Sequence, residues 1–335
     1  MKITKILVAL SFLFAVTTAN AGTLTVTGNM EATYQTDSGK TTGNPLGIDR
    51  ELKFAGSTEL DNGITVSVMQ DTGDTLLFSN SQIAFSNDMG TLYIGSDSDP
   101  VDSIDDVTPS AYEEANGSGS GTYVDIGGSA GDTGLGIKVA VPYIGAVNYK
   151  FYPKADGSKN ADNAASADTN ADVGSANVVS IVTSLGDLPG AGVLSGATLT
   201  TGYAKVVNSN VASTDDETQL TAALNYAYGP VKFGYQKKYN NQGQTVGTTD
   251  AIFYKDDIIG VAYAVNDALS LSYNRYESKR HSNSAANVDQ TTTAYNIGYA
   301  IGGMTIGFQS AETDNANFVN AAKDDTKTLG VSVAF

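Results

Sequence analysis

The side chains best suited to chemistry in this sequence are carboxylates, and they are concentrated in one segment. Ser96–Gly121 contains seven acidic residues and no Lys or Arg, the acids being Asp97, Asp99, Asp102, Asp105, Asp106, Glu113 and Glu114. Their oxygens could bind Ca²⁺, but the spacing lacks the pattern of an EF-hand loop. Clustered carboxylates also attract cations and repel anions. We expect no cofactor, with Ca²⁺ as an open alternative and an electrostatic role as the main prediction.

Few other residues could support catalysis. The sequence has no Cys, which excludes a disulfide framework and a thiolate metal site. Its one His, His281, is followed by Ser282, Asn283 and Ser284 in a predicted surface loop. A catalytic triad or a His-based metal site needs partners that the sequence does not indicate. We therefore expect a protein that is not an enzyme.

Charge and the N-terminal segment indicate an exported protein that does not bind nucleic acid. The formal net charge is −17, so no basic surface is available to displace counterions from nucleic acid. Residues 1–21 have the pattern of a signal peptide, with Lys2 and Lys5 before the apolar run Ile6–Val16 and an A-x-A site ending at Ala21. Cleavage after Ala21 removes the two lysines and leaves −17 − 2 = −19.

The last residues of the chain have the two-residue period of a β-strand. Leu329, Val331, Val333 and Phe335 form one apolar face, and the residues between them are small or polar. In a membrane barrel the last strand must pair with the first, because an open edge in lipid leaves backbone groups unpaired. The segment therefore predicts barrel closure, with Phe335 as the closing residue.

The rest of the chain alternates between strand patterns, short turns and longer polar segments. Seven short turns and eight longer segments make fifteen connections, and therefore about sixteen strands. Short turns on one side and long loops on the other are typical of outer-membrane barrels. Tyrosines such as Tyr228, Tyr263 and Tyr299 lie close to turns, as an interfacial aromatic girdle requires. The opposite faces carry small polar residues, which predicts a water-filled interior.

The same alternation predicts which basic residues face the interior. If the aliphatic and aromatic residues of each strand face lipid, four lysines face the lumen: Lys53, Lys138, Lys150 and Lys232. A lysine on the lipid face would cost ~2–4 kcal/mol at mid-membrane. Exposed rim positions are the alternative for each of them. The pattern fails in Ala251–Val265, where Lys255 and Asp257 fall on the outer face unless a bulge or an extension above the membrane intervenes.

Two stretches carry a family resemblance. The glycine-flanked strand Gly90–Ser96 leading into the acidic segment, and the terminal strand ending in Phe335, resemble those of Gram-negative outer-membrane general-diffusion porins. The resemblance implies that the third outer loop, here residues 96–121, folds into the barrel and narrows the pore opposite basic wall residues. It also implies a homotrimer and a terminal aromatic that is read by the barrel assembly machinery. Arginine usually dominates the basic side in that family, whereas this chain has only Arg50, Arg275 and Arg280.

These observations together predict an all-β protein. Residues 22–335 form a transmembrane antiparallel β-barrel of about sixteen strands with an inward-folded constriction loop. We expect an outer-membrane porin of a Gram-negative bacterium that passes small hydrophilic solutes and ions, with a preference for cations. The alternatives are a substrate-specific channel on the same fold, an exported soluble β-protein of surface-layer or glycan-binding type, and a barrel enzyme such as a protease or lipase.

Overall fold

The computed structural model describes residues 22–38, 43–73, 78–96, 99–115, 133–153, 173–208, 215–243, 251–282 and 287–335. The predicted signal peptide lies outside the described residues. So do Asp97 and the last part of the predicted constriction loop, residues 116–121.

The described chain forms sixteen strands and a few short 3₁₀ turns. The strands are β1 Thr23–Asp37, β2 Leu46–Glu59, β3 Thr65–Thr72, β4 Phe78–Asn87, β5 Gly90–Gly95, β6 Gly134–Val141, β7 Gly145–Tyr152, β8 Val173–Ser184, β9 Ala197–Asn208, β10 Glu217–Tyr228, β11 Val231–Asn241, β12 Ala251–Ala264, β13 Leu269–Ser282, β14 Asp289–Ile301, β15 Met304–Asp314 and β16 Lys323–Ala334. The 3₁₀ turns are Asp102–Ile104, Leu185–Asp187, Gly192–Leu194 and Ala316–Phe318. Among the described residues, no helix has the length and apolar character needed to cross a membrane.

All sixteen strands belong to one closed antiparallel barrel, in which β1 also pairs with β16. The closing register sets Met30 opposite Val333 and Tyr34 opposite Leu329. Beyond the end of β16, the Phe335 N–H donates to the Gly28 carbonyl at 3.0 Å, and the Gly28 N–H donates to the Phe335 carbonyl at 2.9 Å. Closure pairs the edge strands with each other, as backbone in lipid requires. The predicted fold class and strand number are confirmed.

The register also assigns a face to each residue, because cross-strand partners share a face. The outer face carries an apolar belt, in which Leu329, Val331 and Val333 are each at least one-third exposed. Tyr228 and Tyr299 stand on the same outer face close to the short turns and are exposed. The outer surface therefore has the aliphatic band and tyrosine border of a membrane barrel.

Strand β12 keeps its register where the sequence pattern fails. Its pairing with β11 and β13 is continuous from Phe253 onward, and the one irregularity with β13 lies between Ala251 and Phe253. A bulge beside Lys255 and Asp257 is therefore excluded. Both charged side chains stay on the outer face.

Several strands run farther into the predicted loops than expected. The predicted loop at residues 313–325 contains the end of β15 and the start of β16, joined there by a Lys323–Asp314 ion pair at 2.7 Å. Polar residues can extend these strands because only the central part of each needs an apolar outer face.

Barrel closure generates a test at the last residue. Deleting Phe335 removes both of its backbone hydrogen bonds to Gly28 and leaves those two groups unpaired at the membrane. We expect a lower level of folded protein in the outer membrane, with export across the inner membrane unaffected. Heat-modifiable mobility of the membrane fraction measures the folded form. Phe335→Tyr, which keeps the backbone contacts and an aromatic ring, serves as the control. Equal folded levels after the deletion would contradict the closing role.

Candidate pore constriction

Residues 99–115, called the inner loop from here on, lie inside the barrel against its wall. At the start of the loop, Val101 is fully buried in a cluster with Tyr152 of β7 and Val178 of β8. At its end, Ala115 is buried in a second cluster with Ile258 of β12 and residues of β13 to β15. The loop therefore follows the inner wall over more than half of the ring of strands.

A row of wall amides binds the loop backbone between these two clusters. Gln236 of β11 donates to the Ile104 carbonyl at 2.9 Å and accepts from the Val107 N–H at 3.1 Å. The other amide donors, with the carbonyl that each one reaches, are Asn225 to Val107, Asn274 to Pro109, and Gln309 to both Glu113 and Glu114. An irregular segment needs such partners because buried backbone groups without them cost free energy. The amide row therefore holds the loop in position.

Glycines on the inner face make room for the loop. A β-carbon on Gly260 would lie 2.7 Å from the Pro109 carbonyl oxygen, and one on Gly298 would overlap the Ala111 carbonyl. A β-carbon on Gly307 would overlap the ring of Tyr112. These contacts occur on β12, β14 and β15, so the loop lies directly against the backbone of three strands.

Asp105 and Asp106 meet a basic residue that the sequence analysis did not select. The ammonium of Lys238 on β11 lies 2.8 Å from Asp106 and 3.7 Å from Asp105, and its side chain is fully buried. Glu114 is close to the same group, and burial together with the adjacent Asp106 raises the pKa of Glu114 to about 8. The middle and the end of the acidic segment thus converge on one buried lysine.

Asp99, the first acid of the inner loop, lies beside a second basic residue, Lys150. The Tyr152 hydroxyl donates to Asp99 at 3.4 Å, and the Lys150 ammonium lies 4.7 Å from the centre of the Tyr152 ring. Burial raises the pKa of Asp99 to about 6, against the opposing effects of backbone hydrogen bonds and Lys150. Lys138 lies over the ring of Tyr93 at 5.0 Å, and Lys150 faces that ring at 6.0 Å.

The far end of the inner loop meets the wall at β1. The Tyr112 hydroxyl donates to the carboxylate of Glu31 on β1. Burial and the charge of Glu31 raise the pKa of the neighbouring Glu113. Glu31 is therefore an acidic wall residue at the constriction, which the sequence analysis did not select.

Three further predicted site residues are exposed. Asp102 stands at the start of a 3₁₀ turn with its side chain exposed. Lys53, opposite Thr27 and Asp71, and Lys232, near a short turn, are on the inner face and exposed. The predicted transverse field between the loop acids and these wall lysines stays a prediction, and of the four lysines Lys150 lies close to a described loop acid, Asp99. Asp97 lies outside the described residues.

The inner face also carries large apolar residues beneath the inner loop. Val178, Ile258 and Tyr276 point inward there and are buried by the loop. The alternation of inward and outward residues could have identified Lys238 as an inward-facing lysine, because it lies on the same face of β11 as Lys232. A second available signal was the inward position of four amide side chains, those of Asn225, Gln236, Asn274 and Gln309. Neither signal could be used without knowing which part of the wall the loop covers.

The acidic segment does not form a metal centre within the part of the chain that the structure describes. No group of three or more His, Cys, Asp or Glu side chains there is arranged to hold a metal ion. Asp105 and Asp106 instead face the ammonium of Lys238.

A closed barrel with an apolar outer belt and a loop folded along its inner wall has the architecture of an outer-membrane channel. The chain belongs to the Gram-negative porin family, whose model matches residues 7–300. The members of this family are channels, not enzymes. Comparison with curated proteins finds no match.

Solved structures of porins are similar over nearly the whole chain. OmpT, an outer membrane protein of Vibrio cholerae, is 13% identical with a TM-score of 0.65, covering 96% of this chain and 100% of OmpT. A porin refined at 1.8 Å resolution is 15% identical with a TM-score of 0.61, covering 93% of this chain and 100% of that one. A variant of the Rh. blastica porin is 14% identical with a TM-score of 0.58 and the same coverages. At these identities the likeness shows the fold.

The close approach of Tyr112 to β15 generates a test of the loop position. In Gly307→Val the new side chain would overlap the Tyr112 ring, at a cost of ~1–3 kcal/mol for overpacking. We expect the end of the inner loop to move into the lumen and the single-channel conductance to fall. Gly56→Val is the matched control, because a β-carbon on that strand glycine meets its nearest atom at 3.6 Å. Unchanged conductance in Gly307→Val would place Tyr112 outside the narrow part of the pore.

Proposed function

We propose that the protein forms a water-filled channel for passive diffusion of small hydrophilic solutes and ions across the outer membrane. The observation that carries this proposal is the inner loop, bound along one side of the interior of a closed barrel. Glu51 and Lys53 on the inner face of β2, away from the loop, remain exposed, which supports an open passage beside it. A solute limit set by the constriction follows from this arrangement.

Under this proposal the acidic residues contribute unequally to the field in the pore. The charges of Asp105 and Asp106 are partly compensated by Lys238, whereas Asp102 is exposed on the loop surface. Asp102 is therefore the acid of the inner loop that acts most directly on passing ions. The wall lysines Lys53 and Lys138 stand on the side that the loop leaves uncovered and supply the opposing positive charge.

The channel prefers cations under this proposal, and the preference grows with pH. The acid groups with raised pKa values are neutral below those values and gain their charge above them. Asp99, with a pKa of about 6, and Glu114, with a pKa of about 8, therefore add negative charge as the pH rises from 5 to 9. The mature charge of −19 that follows from signal-peptide cleavage acts in the same direction.

A homotrimer is part of the proposal, supported by the outer face of β2 to β4. Arg50 shares the outer face with Met30, and Gln70 shares it with Phe54 and Ser81. Polar side chains on a lipid-facing surface are costly, so a second copy of the chain is the natural cover for this patch. In a trimer built on this patch, strands β2 to β4 of the three copies lie at the centre of the assembly.

The remaining expectations complete the proposal. The signal peptide is cleaved after Ala21, the barrel assembly machinery inserts the chain through its terminal strand, and the channel works without cofactor or catalysis. A substrate-specific channel would share this barrel and inner loop, and it remains the second candidate. The soluble and enzymatic alternatives have no comparable support.

The proposed ion preference is tested by reversal potentials in planar bilayers across a KCl gradient. We expect the parent channel to prefer K⁺, more strongly at pH 9 than at pH 5. The effect should be clearest in dilute salt, since the Debye length is only ~3 Å at 1 M. Asp102→Asn should lower the K⁺/Cl⁻ permeability ratio. Asp61→Asn removes the same charge from an exposed short turn outside the pore and is the matched control.

Each part of the proposal has its own contradictory outcome. A parent channel that prefers Cl⁻ would overturn the field argument. An Asp102→Asn channel that matches the Asp61→Asn channel would place Asp102 away from the ion path. Absence of any conductance from correctly folded protein would overturn the channel itself.

A further inference from the structure

The inner loop extends beyond its amide contacts to the junction of the first and last strands. Just before Tyr112, Ala111 lies against β14, and just after it the carbonyls of Glu113 and Glu114 accept from Gln309 on β15. Between these contacts, the Tyr112 side chain reaches past β15 onto β16 and β1. This side chain therefore contacts both strands of the closing pair, the barrel seam.

A row of three glycines makes room for this part of the loop. Gly298, Gly307 and Gly330 are direct cross-strand neighbours on β14, β15 and β16. A β-carbon on Gly307 would overlap the Tyr112 ring, and one on Gly330 would overlap the Tyr112 hydroxyl. Glycine weakens a strand because it has no side chain to pack, and it marks places where another segment approaches closely. The three glycines thus leave a bare strip on the inner wall, which the loop covers.

The strip ends at the barrel seam. Gly330 of β16 is paired with Thr33 of β1, and the Tyr112 hydroxyl donates to Glu31 on the same face of β1. Glu31 and Gly330 are 330 − 31 = 299 residues apart in the sequence. They become neighbours through the pairing of β1 with β16. The surface that binds Tyr112 is therefore complete only in a closed barrel.

The hydrogen bond across the seam joins a phenol to a carboxylate. Burial, followed by the hydrogen bond to Glu31, raises the pKa of Tyr112 above its ordinary value, so the hydroxyl keeps its proton and remains a donor. A hydrogen bond to an ionised acceptor is roughly twice as strong as one between neutral groups. The contact is thus strong enough to influence the pairing of the strands beneath it.

We propose that Tyr112 stabilises barrel closure, by binding across the seam after β1 and β16 have paired and opposing their separation. The two events are linked, and linkage between two equilibria is reciprocal. If strand pairing completes the binding surface of Tyr112, bound Tyr112 favours strand pairing by the same free energy. The inner loop then has a role beside narrowing the pore, because it supports the junction between the two ends of the chain.

The test measures amide hydrogen exchange of the full-length purified protein by mass spectrometry. Tyr112→Phe keeps the ring on the glycine strip and removes the donor. We expect protection of the amides in residues 29–37 and 326–334 to fall about tenfold or more, because a hydrogen bond to a charged group is lost. Protection in β11 and β12 should stay unchanged. Tyr112→Phe/Glu31→Gln should be no less protected than Tyr112→Phe, since both changes act on the same bond.

Tyr93→Phe is the matched control. Tyr93 is a buried tyrosine of the inner wall whose hydroxyl donates to Asn148 at 2.8 Å, on β5 and β7 and away from the seam. The control loses an equivalent hydroxyl, and its seam should be as protected as that of the parent.

A covalent seam separates strand opening from a general loosening of the protein. Gly28 and Phe335 exchange two hydrogen bonds, so the next pair, Asn29 and Ala334, is a closer pair without such bonds and suits a disulfide. In oxidised Asn29→Cys/Ala334→Cys the edge strands are held together. Adding Tyr112→Phe should then leave seam protection unchanged, and reduction should restore the loss.

Three results would overturn the proposal. The first is unchanged seam protection in Tyr112→Phe, and the second is an equal loss of protection in β11 and β12. The third is a loss at the seam that persists in the oxidised form. None of these measurements depends on ion passage, so a failure of the proposed channel would leave them unaffected.

Discussion

The structure depends on one constraint, which is that backbone N–H and C=O groups in hydrocarbon must be paired within the protein. Closure of β1 on β16 meets this requirement, and the hydrogen bonds between Phe335 and Gly28 extend it beyond the last strand. Closure in turn divides every strand into a lipid face and a lumen face. The composition of each strand follows from that division, since the outer residues must suit lipid and the inner ones are free to bind water, solutes or the inner loop.

The same requirement acts a second time inside the barrel. The inner loop has little regular structure, so its carbonyl and N–H groups need side-chain partners. Gln236, Asn274 and Gln309 provide them, and glycines such as Gly307 let the loop lie directly on the strand backbones. The buried Lys238 then neutralises carboxylates that would otherwise repel each other. The electrostatic character of the pore is therefore coupled to the contacts that hold the loop.

Features that follow from alternation could be predicted from the sequence, and features that follow from contact between distant segments could not. The period of residues 329–335 was enough to predict closure, and short turns alternating with long loops gave the strand number. The contacts of the inner loop depend on its path through the folded barrel, so the sequence analysis missed Lys238 and Glu31. For the same reason it could not identify Ile258 as an apolar contact of Ala115. The outward Lys255 was visible as a break in the pattern. Its cross-strand neighbour Lys279 could be identified only from the register of the folded sheet.

The central claim is that the inner loop lies against the wall of β13 in the membrane-embedded channel. The chain has no natural Cys, so Ser110→Cys/Ser272→Cys offers a direct measurement, the two hydroxyl oxygens being 3.3 Å apart. Under mild oxidation in intact outer membranes, the account predicts nearly complete disulfide formation, seen as a mobility shift reversed by reductant. Ser110→Cys/Ser67→Cys, with its second thiol on the inner face of β3, should give none. Failure of the first pair to cross-link, or equal cross-linking by both pairs, would contradict the account.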